Sequence, residues 1–164
     1  LTEGPQVLVG SSMGGWISVL VCRAMAERVA GLVTIAAAPD FTEDSMWASF
    51  DADQRAALLR DGQILLPSEY DDPYVISQRL IEDGRDQLVL RGALKFPFPV
   101  RFLQGTADAD VDMSVALRLL AQAEGDDIRL ALVKGADHRF SEPDNLAMIV
   151  ASVEDVLARI GDAA

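Results

Sequence analysis

The run from Gln6 to Gly10 (QVLVG) is apolar, partly β-branched and stops at glycine, the pattern of a short buried strand. From Met13 to about Val29 the pattern changes. Trp16, Ile17, Leu20, Ala24 and Met25 fall near helical spacing, with little charge before Arg23, Glu27 and Arg28, so a helix should follow the first strand directly. Ala30 to Ala38 (AGLVTIAAA) is apolar on both faces and ends at Pro39, as expected of a parallel strand covered on both sides.

Between Asp40 and Pro99 no long strand is legible. Short helical pieces are broken by Gly62, Pro67, Pro73, Gly84 and Gly92, and residues 40–99 read as a helical insertion over one end of a sheet. Asp51 with Gln54 predicts one helix start, and Asp72 with Pro73 at the first helical position predicts another. Phe41, Met46, Trp47 and Phe50 form one apolar group here and Leu65, Leu66 and Tyr70 a second, suited to packing the insertion or to walling an acyl or aryl group.

Alternation then resumes. Val100 to Gly105 (VRFLQG) predicts a strand and Asp112 to Ala123 a helix. Ile128, Leu130 and Leu132 alternate with their neighbours up to Gly135, as in a strand at a sheet edge. Leu146, Ile149, Val150, Val153, Val156, Leu157 and Ile160 make one stripe on a final helix, for which Ser141 with Asp144 is the expected cap. Strand–helix–strand, insertion, strand–helix–strand–helix is the order of an α/β fold with a parallel sheet, whose chemistry lies in loops at the carboxyl ends of the strands.

Composition narrows the function. With half of its 164 residues apolar the chain can bury a core, and its formal charge of −12 repels nucleic acid and anionic lipid surfaces. No apolar run is long enough to span a membrane. The single cysteine, Cys22, cannot form an internal disulfide and sits in an apolar run, as a buried thiol would. It points to a reducing compartment, taken here as the cytoplasm. The chain opens on Leu1 with a strand close behind, so the natural N-terminus, and any targeting signal with it, is expected upstream.

Gly10-Ser11-Ser12-Met13-Gly14 is a G-x-S-x-G sequence between an apolar strand and an apolar helix, the context of a nucleophile elbow. The bare pattern arises by chance about once in twenty chains of this length, so the placement carries the weight. Glycines permit a turn that strains the central residue and exposes the Ser12 hydroxyl, while the Met13 N–H, at the helix start, can meet a developing oxyanion. A serine needs a base, and the chain has one histidine, His138, after the strand that ends at Gly135. A carboxylate must orient that imidazole. Asp108, in Gly105-Thr106-Ala107-Asp108 after the third long strand, fits the order Ser, Asp, His; Asp110, Asp112 and Asp137 compete with it, and Asp40 is a further alternative. A single histidine without a cysteine pair gives no metal site, and no phosphate-binding glycine motif is present, so neither metal nor cofactor is expected.

VLVGSSMGGW around Ser12, LLPSEY in the insertion, RFLQGTADADV around Asp108 and DHRF around His138 resemble the α/β-hydrolase superfamily. Within it the resemblance is to the branch of mitochondrial palmitoyl-protein thioesterases that also cleave acyl glucuronides. It implies that Ser12, Asp108 and His138 form a triad that hydrolyses a small-molecule ester or thioester through an acyl-enzyme. It also implies that residues 1–164 are the C-terminal portion of one α/β-hydrolase domain, with 40–99 as a cap-like insertion. Members of the superfamily place several strands before the elbow strand, and a loop among them supplies the second oxyanion N–H. The missing N-terminal half of the domain, or another chain, is therefore expected to cover the elbow strand; alone, this segment should be inactive and prone to aggregate. Two alternatives remain at this point: a noncatalytic binding protein of the same fold, and a related enzyme acting on carbon–carbon or peroxide bonds.

Overall fold

The structure, a computed structural model, describes residues 2–67 and 72–162. Two compact units are present, one of Leu1–Pro39 with Val89–Ala164, the other of Asp40–Leu88. In chain order the elements are β1 (Gln6–Ser11), α1 (Met13–Ala24), β2 (Val29–Ile35), α2 (Ala52–Asp61), β3 (Gln63–Leu66), β4 (Tyr74–Ser77) and α3 (Gln78–Asp86). They continue with β5 (Leu94–Lys95), β6 (Val100–Gly105), α4 (Met113–Gln122), β7 (Ala123–Glu124), β8 (Ile128–Val133) and α5 (Pro143–Asp162).

The first unit is built on a four-stranded sheet in the order β1-β2-β6-β8, parallel throughout. Side chains alternate faces along a strand. On β2, Val33 and Ile35 enter a cluster with Leu103, Phe140 and Val156 of α5, while Leu32 and Thr34, which point the other way, are buried too. Both faces of the central strands are thus covered, which explains the loss of polar alternation in AGLVTI. β8 lies at one edge of the sheet, with Arg129 and Leu132 exposed and its other residues half-buried, so the expected alternation of Ile128, Leu130 and Leu132 breaks at Leu132. At the other edge β1 leaves Val9 51% exposed, and Met13 and Ile17 on α1 are each 50% exposed.

Several boundaries differ from the sequence expectations. The helix after β1 stops at Ala24 and a 3₁₀ turn over Ala26–Arg28 leads into β2. α5 begins at Pro143, two residues after the expected cap, with proline in the first helical position where its missing N–H costs nothing. Its apolar stripe also divides: Ile149, Val153, Val156 and Ile160 pack on the sheet, whereas Leu146, Val150 and Leu157 are exposed. Cys22 is buried as expected, and that burial pushes its thiol up to about 12.

The second unit has its own core of Phe50, Leu58, Ile76 and Ile81, against which Met46, Trp47 and Leu66 pack. Asp51 caps α2 through the full reciprocal box, accepting from the Gln54 N–H at 2.8 Å and receiving the Gln54 side chain on its own N–H at 3.0 Å. The expected helix start at Pro73 is instead the approach to β4. Tyr74-Val75-Ile76-Ser77 is aromatic and β-branched, and it pairs antiparallel with β3, Ile64 opposite Ile76. The next helix starts only at Gln78, capped by Ser77. Val89–Pro99, assigned to the insertion on sequence grounds, falls in the first unit. Tyr70, with Ser68 and Glu69 of LLPSEY, lies outside the described residues.

One charged network fixes the elements on either side of the β8–α5 loop. Arg101 on β6 is 5% exposed and bonds Asp155 of α5 at 2.6 Å and Asp127, just before β8, at 3.0 Å. Burial alone would lower the guanidinium pKa, but its bonds to Asp127 and Asp155 outweigh that and raise it. Both aspartates are held below the usual carboxylate range, first by the hydrogen bond from Arg101. Removing this cation leaves the two carboxylates only the longer contacts, 3.4 to 3.8 Å, of the more exposed Arg129 and Arg159. Arg101→Ala should therefore cost about 2 kcal/mol in denaturant unfolding near pH 7, less than a fully buried pair because Asp155 is partly solvated. Because the folded carboxylate pKa values are depressed, the contribution is present above about pH 4 and is lost as pH falls below it. The wild-type advantage over Arg101→Ala should shrink there, and a constant difference down to pH 3 would contradict this account.

Candidate active site

Ser12 is the bend between β1 and α1. Its backbone sits at φ 53° and ψ −122°, a region that disfavours any residue with a Cβ and costs about 1–3 kcal/mol. Hydrogen bonds hold it there: the Ser12 N–H donates to Ile35 O at 2.9 Å, and its carbonyl accepts from Gly15 and Ala38, each at 3.0 Å. The first motif glycine is sterically required, since a Cβ on Gly10 would lie 2.4 Å from the Gly14 carbonyl oxygen. Gly15, just after the motif, is equally confined, 2.7 Å from the Ala37 Cβ, whereas a Cβ on Gly14 would meet no atom within 4 Å. Met13 is the first residue of α1, so its N–H has no partner within the helix and the positive helix end adds to it.

Asp108 and His138 stand on neighbouring loops at the carboxyl ends of β6 and β8. Those loops are laced together: Thr106 N–H donates to Val133 O, Ala107 N–H to Ala136 O, and Gly135 N–H to the Thr106 hydroxyl, each at 3.0 Å. His138 is pinned from both sides in sequence. Ala136 and Phe140 are buried in the core, and the Phe140 N–H donates to the Asp137 carboxylate at 3.0 Å. An imidazole between two such anchors has little freedom to leave its place.

The three side chains meet. His138 Nε2 lies 3.0 Å from Ser12 Oγ, and His138 Nδ1 lies 2.9 Å from Asp108 Oδ2 and 3.1 Å from Oδ1. The Asp108 side chain has no solvent exposure, while 21% of the His138 side chain remains accessible. Nδ1 facing a carboxylate must be the protonated nitrogen, which leaves Nε2 with its lone pair toward the serine hydroxyl. That is the tautomer in which imidazole can accept the hydroxyl proton. Asp108 Oδ1 also accepts the N–H groups of Asp110 at 2.9 Å and Val111 at 2.8 Å, so the carboxylate is fixed by its own loop.

The competing aspartates have other partners. Asp112 caps α4 through the Ser114 N–H, and its carboxyl is held below the usual range first by the Ser114 hydroxyl and then by that N–H. Asp137 accepts from Phe140, and Asp40 belongs to the second unit. Asp110 is exposed; with Asp108 and His138 it forms the one group among the described residues whose donor atoms, all within 4.8 Å, have metal-ligand chemistry. Asp108 and His138 are already bonded to each other, and an ion there would have to displace those bonds.

Sequence reasoning missed Gln104. It is fully buried on β6, and its amide nitrogen donates to Asp108 Oδ2 at 3.0 Å. The available signal was a polar residue in an otherwise closed strand, one position before the loop that carries the acid.

No protein-family model matches the chain. Against solved structures it superposes on a protein of Agrobacterium vitis S4 with a TM-score of 0.87 and 37% identity, covering 92% of this chain and 60% of that one. It superposes on mouse alpha/beta hydrolase domain-containing protein 10 with a TM-score of 0.85 and 26% identity, covering 98% and 64%. The fold is that of an α/β hydrolase, present in part. Among curated proteins, the chain is similar to the mitochondrial palmitoyl-protein thioesterase ABHD10 of Rattus norvegicus, at 28% identity over 162 residues. It covers 98% of itself but 54% of that relative, so the chain spans about half the length of the curated relatives it matches. Among the described residues, no helix is long and apolar enough to cross a membrane.

Proposed function

We propose that the chain carries the nucleophile elbow and catalytic triad of a serine hydrolase that cleaves a carboxylic ester or thioester. The supporting observation is the continuous relay from Ser12 Oγ through His138 to the Asp108 carboxylate, with contacts of 3.0 and 2.9 Å. Ser12 attacks the acyl carbon as His138 Nε2 takes its proton, and Asp108 steadies the imidazolium that results. The Met13 N–H, with the helix end behind it, receives the oxyanion. Collapse expels the alcohol or thiol, protonated by His138, and leaves an acyl-enzyme on Ser12. Water, activated by the same imidazole, then releases the acid. A thioester is cleaved by the same steps, its thiolate leaving more readily than an alkoxide. The names of the thioesterase relatives support this substrate class.

The same proposal assigns the exposed apolar residues Val9, Met13 and Ile17 to a surface that residues outside this chain cover in the working enzyme. Those residues would also bring a second oxyanion N–H. The experiment is turnover of a panel of aryl esters and acyl thioesters by the intact protein, with fluorophosphonate labelling alongside. The expected result is hydrolysis of members of the panel and stoichiometric labelling that is lost in Ser12→Ala. Labelling that persists in Ser12→Ala, or no turnover by well-folded protein of any panel member, would contradict the proposal.

A further inference from the structure

Gln104 stands out as a polar side chain with no solvent exposure in a strand whose six residues are all buried. Its amide nitrogen has three acceptors: Asp108 Oδ2 at 3.0 Å, Val111 O at 3.1 Å and Gly105 O at 3.2 Å. The opposite amide orientation would set Oε1 against a carboxylate and two carbonyls, so the nitrogen must face this way. The cost of the arrangement is visible on the other atom, since Gln104 Oε1 is buried and has no hydrogen-bond partner among the described residues. A buried acceptor left unmade is unfavourable, and an apolar side chain of similar length would fill the same space without it. Packing therefore does not account for an amide here.

The two oxygens of Asp108 have different partners. Oδ1 takes the Asp110 and Val111 N–H groups, while Oδ2 takes the Gln104 amide and lies nearest His138 Nδ1. Without Gln104, Oδ2 keeps only the imidazole among the described residues, and one of the constraints on carboxylate rotation is gone. The bond to Val111 O also draws the loop of Asp108 back onto β6.

We propose that Gln104 is a positioning residue, its buried amide setting the rotation of the Asp108 carboxylate that fixes the tautomer and direction of His138. The inference rests on the triad reading above and adds a residue to it. Gln104 touches neither substrate nor reacting atoms; it acts through Asp108.

The test uses the intact protein with Gln104→Met, which keeps length and volume but has no donor, and Gln104→Glu, which keeps shape but opposes Asp108 with a second carboxyl group. Two readouts separate positioning from packing: the split between kcat and KM, and the downfield imidazole N–H proton resonance of His138, assigned by its loss in His138→Gln. Gln104→Met is expected to lower kcat by about tenfold with KM within about twofold, and to shift or broaden the resonance. Gln104→Glu is expected to lower kcat further. Wild-type kcat and an unmoved resonance in either folded variant would overturn the inference. Asp108→Asn separates this failure from failure of the triad itself. If it abolishes the resonance while both Gln104 variants leave it intact, only the role of Gln104 is overturned. If Asp108→Asn also leaves resonance and kcat unchanged, the triad falls and the role of Gln104 with it.

Discussion

Ser12→Ala should lower kcat by about a millionfold, to the rate that binding and oxyanion contacts alone sustain, with the thermal midpoint unchanged. The size of the effect follows from what is removed. Ser12 Oγ is the atom 3.0 Å from the only imidazole in the chain, and among the described residues no second hydroxyl is bonded to His138. The small effect on folding follows from the backbone. The strained turn is held by the Ser12 N–H to Ile35 and by the Ser12 carbonyl to Gly15 and Ala38, all of which alanine retains. Steady-state kinetics on an aryl ester, beside a melting curve, check both halves. A variant that keeps more than a hundredth of wild-type kcat would mean that another nucleophile does the work.

Asp108→Asn carries the second largest expected effect, a loss of about ten-thousandfold in kcat. The surrounding loop makes the reason specific. The Asp110 and Val111 N–H groups bond one carboxylate oxygen, so an asparagine must turn its carbonyl oxygen toward them. Its NH2 group then replaces Oδ2, the oxygen nearest His138 Nδ1 at 2.9 Å and bonded by Gln104, and leaves Nδ1 only the longer 3.1 Å contact with the other oxygen. An NH2 donor opposite Nδ1 selects the tautomer with the proton on Nε2, pointing at the serine hydroxyl, and the base is lost while the shape is kept. The NH2 also confronts the Gln104 amide donor, so a modest fall in the thermal midpoint should accompany the loss. Kinetics and melting of this variant distinguish it from Ser12→Ala, whose midpoint stays put. Asp108→Asn activity within tenfold of wild type would remove Asp108 from its role.

These two residues were not equally legible. Ser12 is announced locally, because the strand, the turn and the helix that define its geometry are contiguous in sequence, and periodicity alone places them. Asp108 is one of several aspartates in acidic loops, and nothing local separates it from Asp110, Asp112 or Asp137. What separates them is which partner each meets: a helix N-terminus for Asp112, the Phe140 N–H for Asp137, the imidazole for Asp108. Those contacts span up to 30 residues of chain, and periodicity does not reach so far. Gln104 is marked in the sequence only as a polar residue in a closed strand, and its partners lie around a loop rather than along that strand. The hairpin of β3 and β4 was hidden differently. Its strands have four residues each, too short for a period-2 pattern to register, and the proline before β4 imitates a helix start. The stripe on α5 was legible as apolar but not as two faces, since the outer set of Leu146, Val150 and Leu157 has the same spacing as a buried one.

The charge on the chain bears on partners in a narrower way. A net charge of −12 disfavours polyanions, yet inside the first unit the carboxylates of Asp127 and Asp155 are bonded to Arg101. That arrangement ties α5 to β6 and to the entry of β8, and so steadies the loop between β8 and α5 on which His138 sits. Arg101→Ala should therefore loosen the base as well as lower stability, a smaller effect than either substitution above.

The central claim is that the Ser12 hydroxyl becomes the covalent attachment point of the acyl group. Its most direct test is mass spectrometry of the intact protein quenched in acid during turnover of a slowly deacylating aryl ester, followed by peptide mapping. The expected result is a mass increase equal to one acyl group, located on the peptide that contains Ser12 and absent from Ser12→Ala. An acyl group found on another residue, or a pre-steady-state burst of leaving group during which Ser12 stays unmodified, would contradict it.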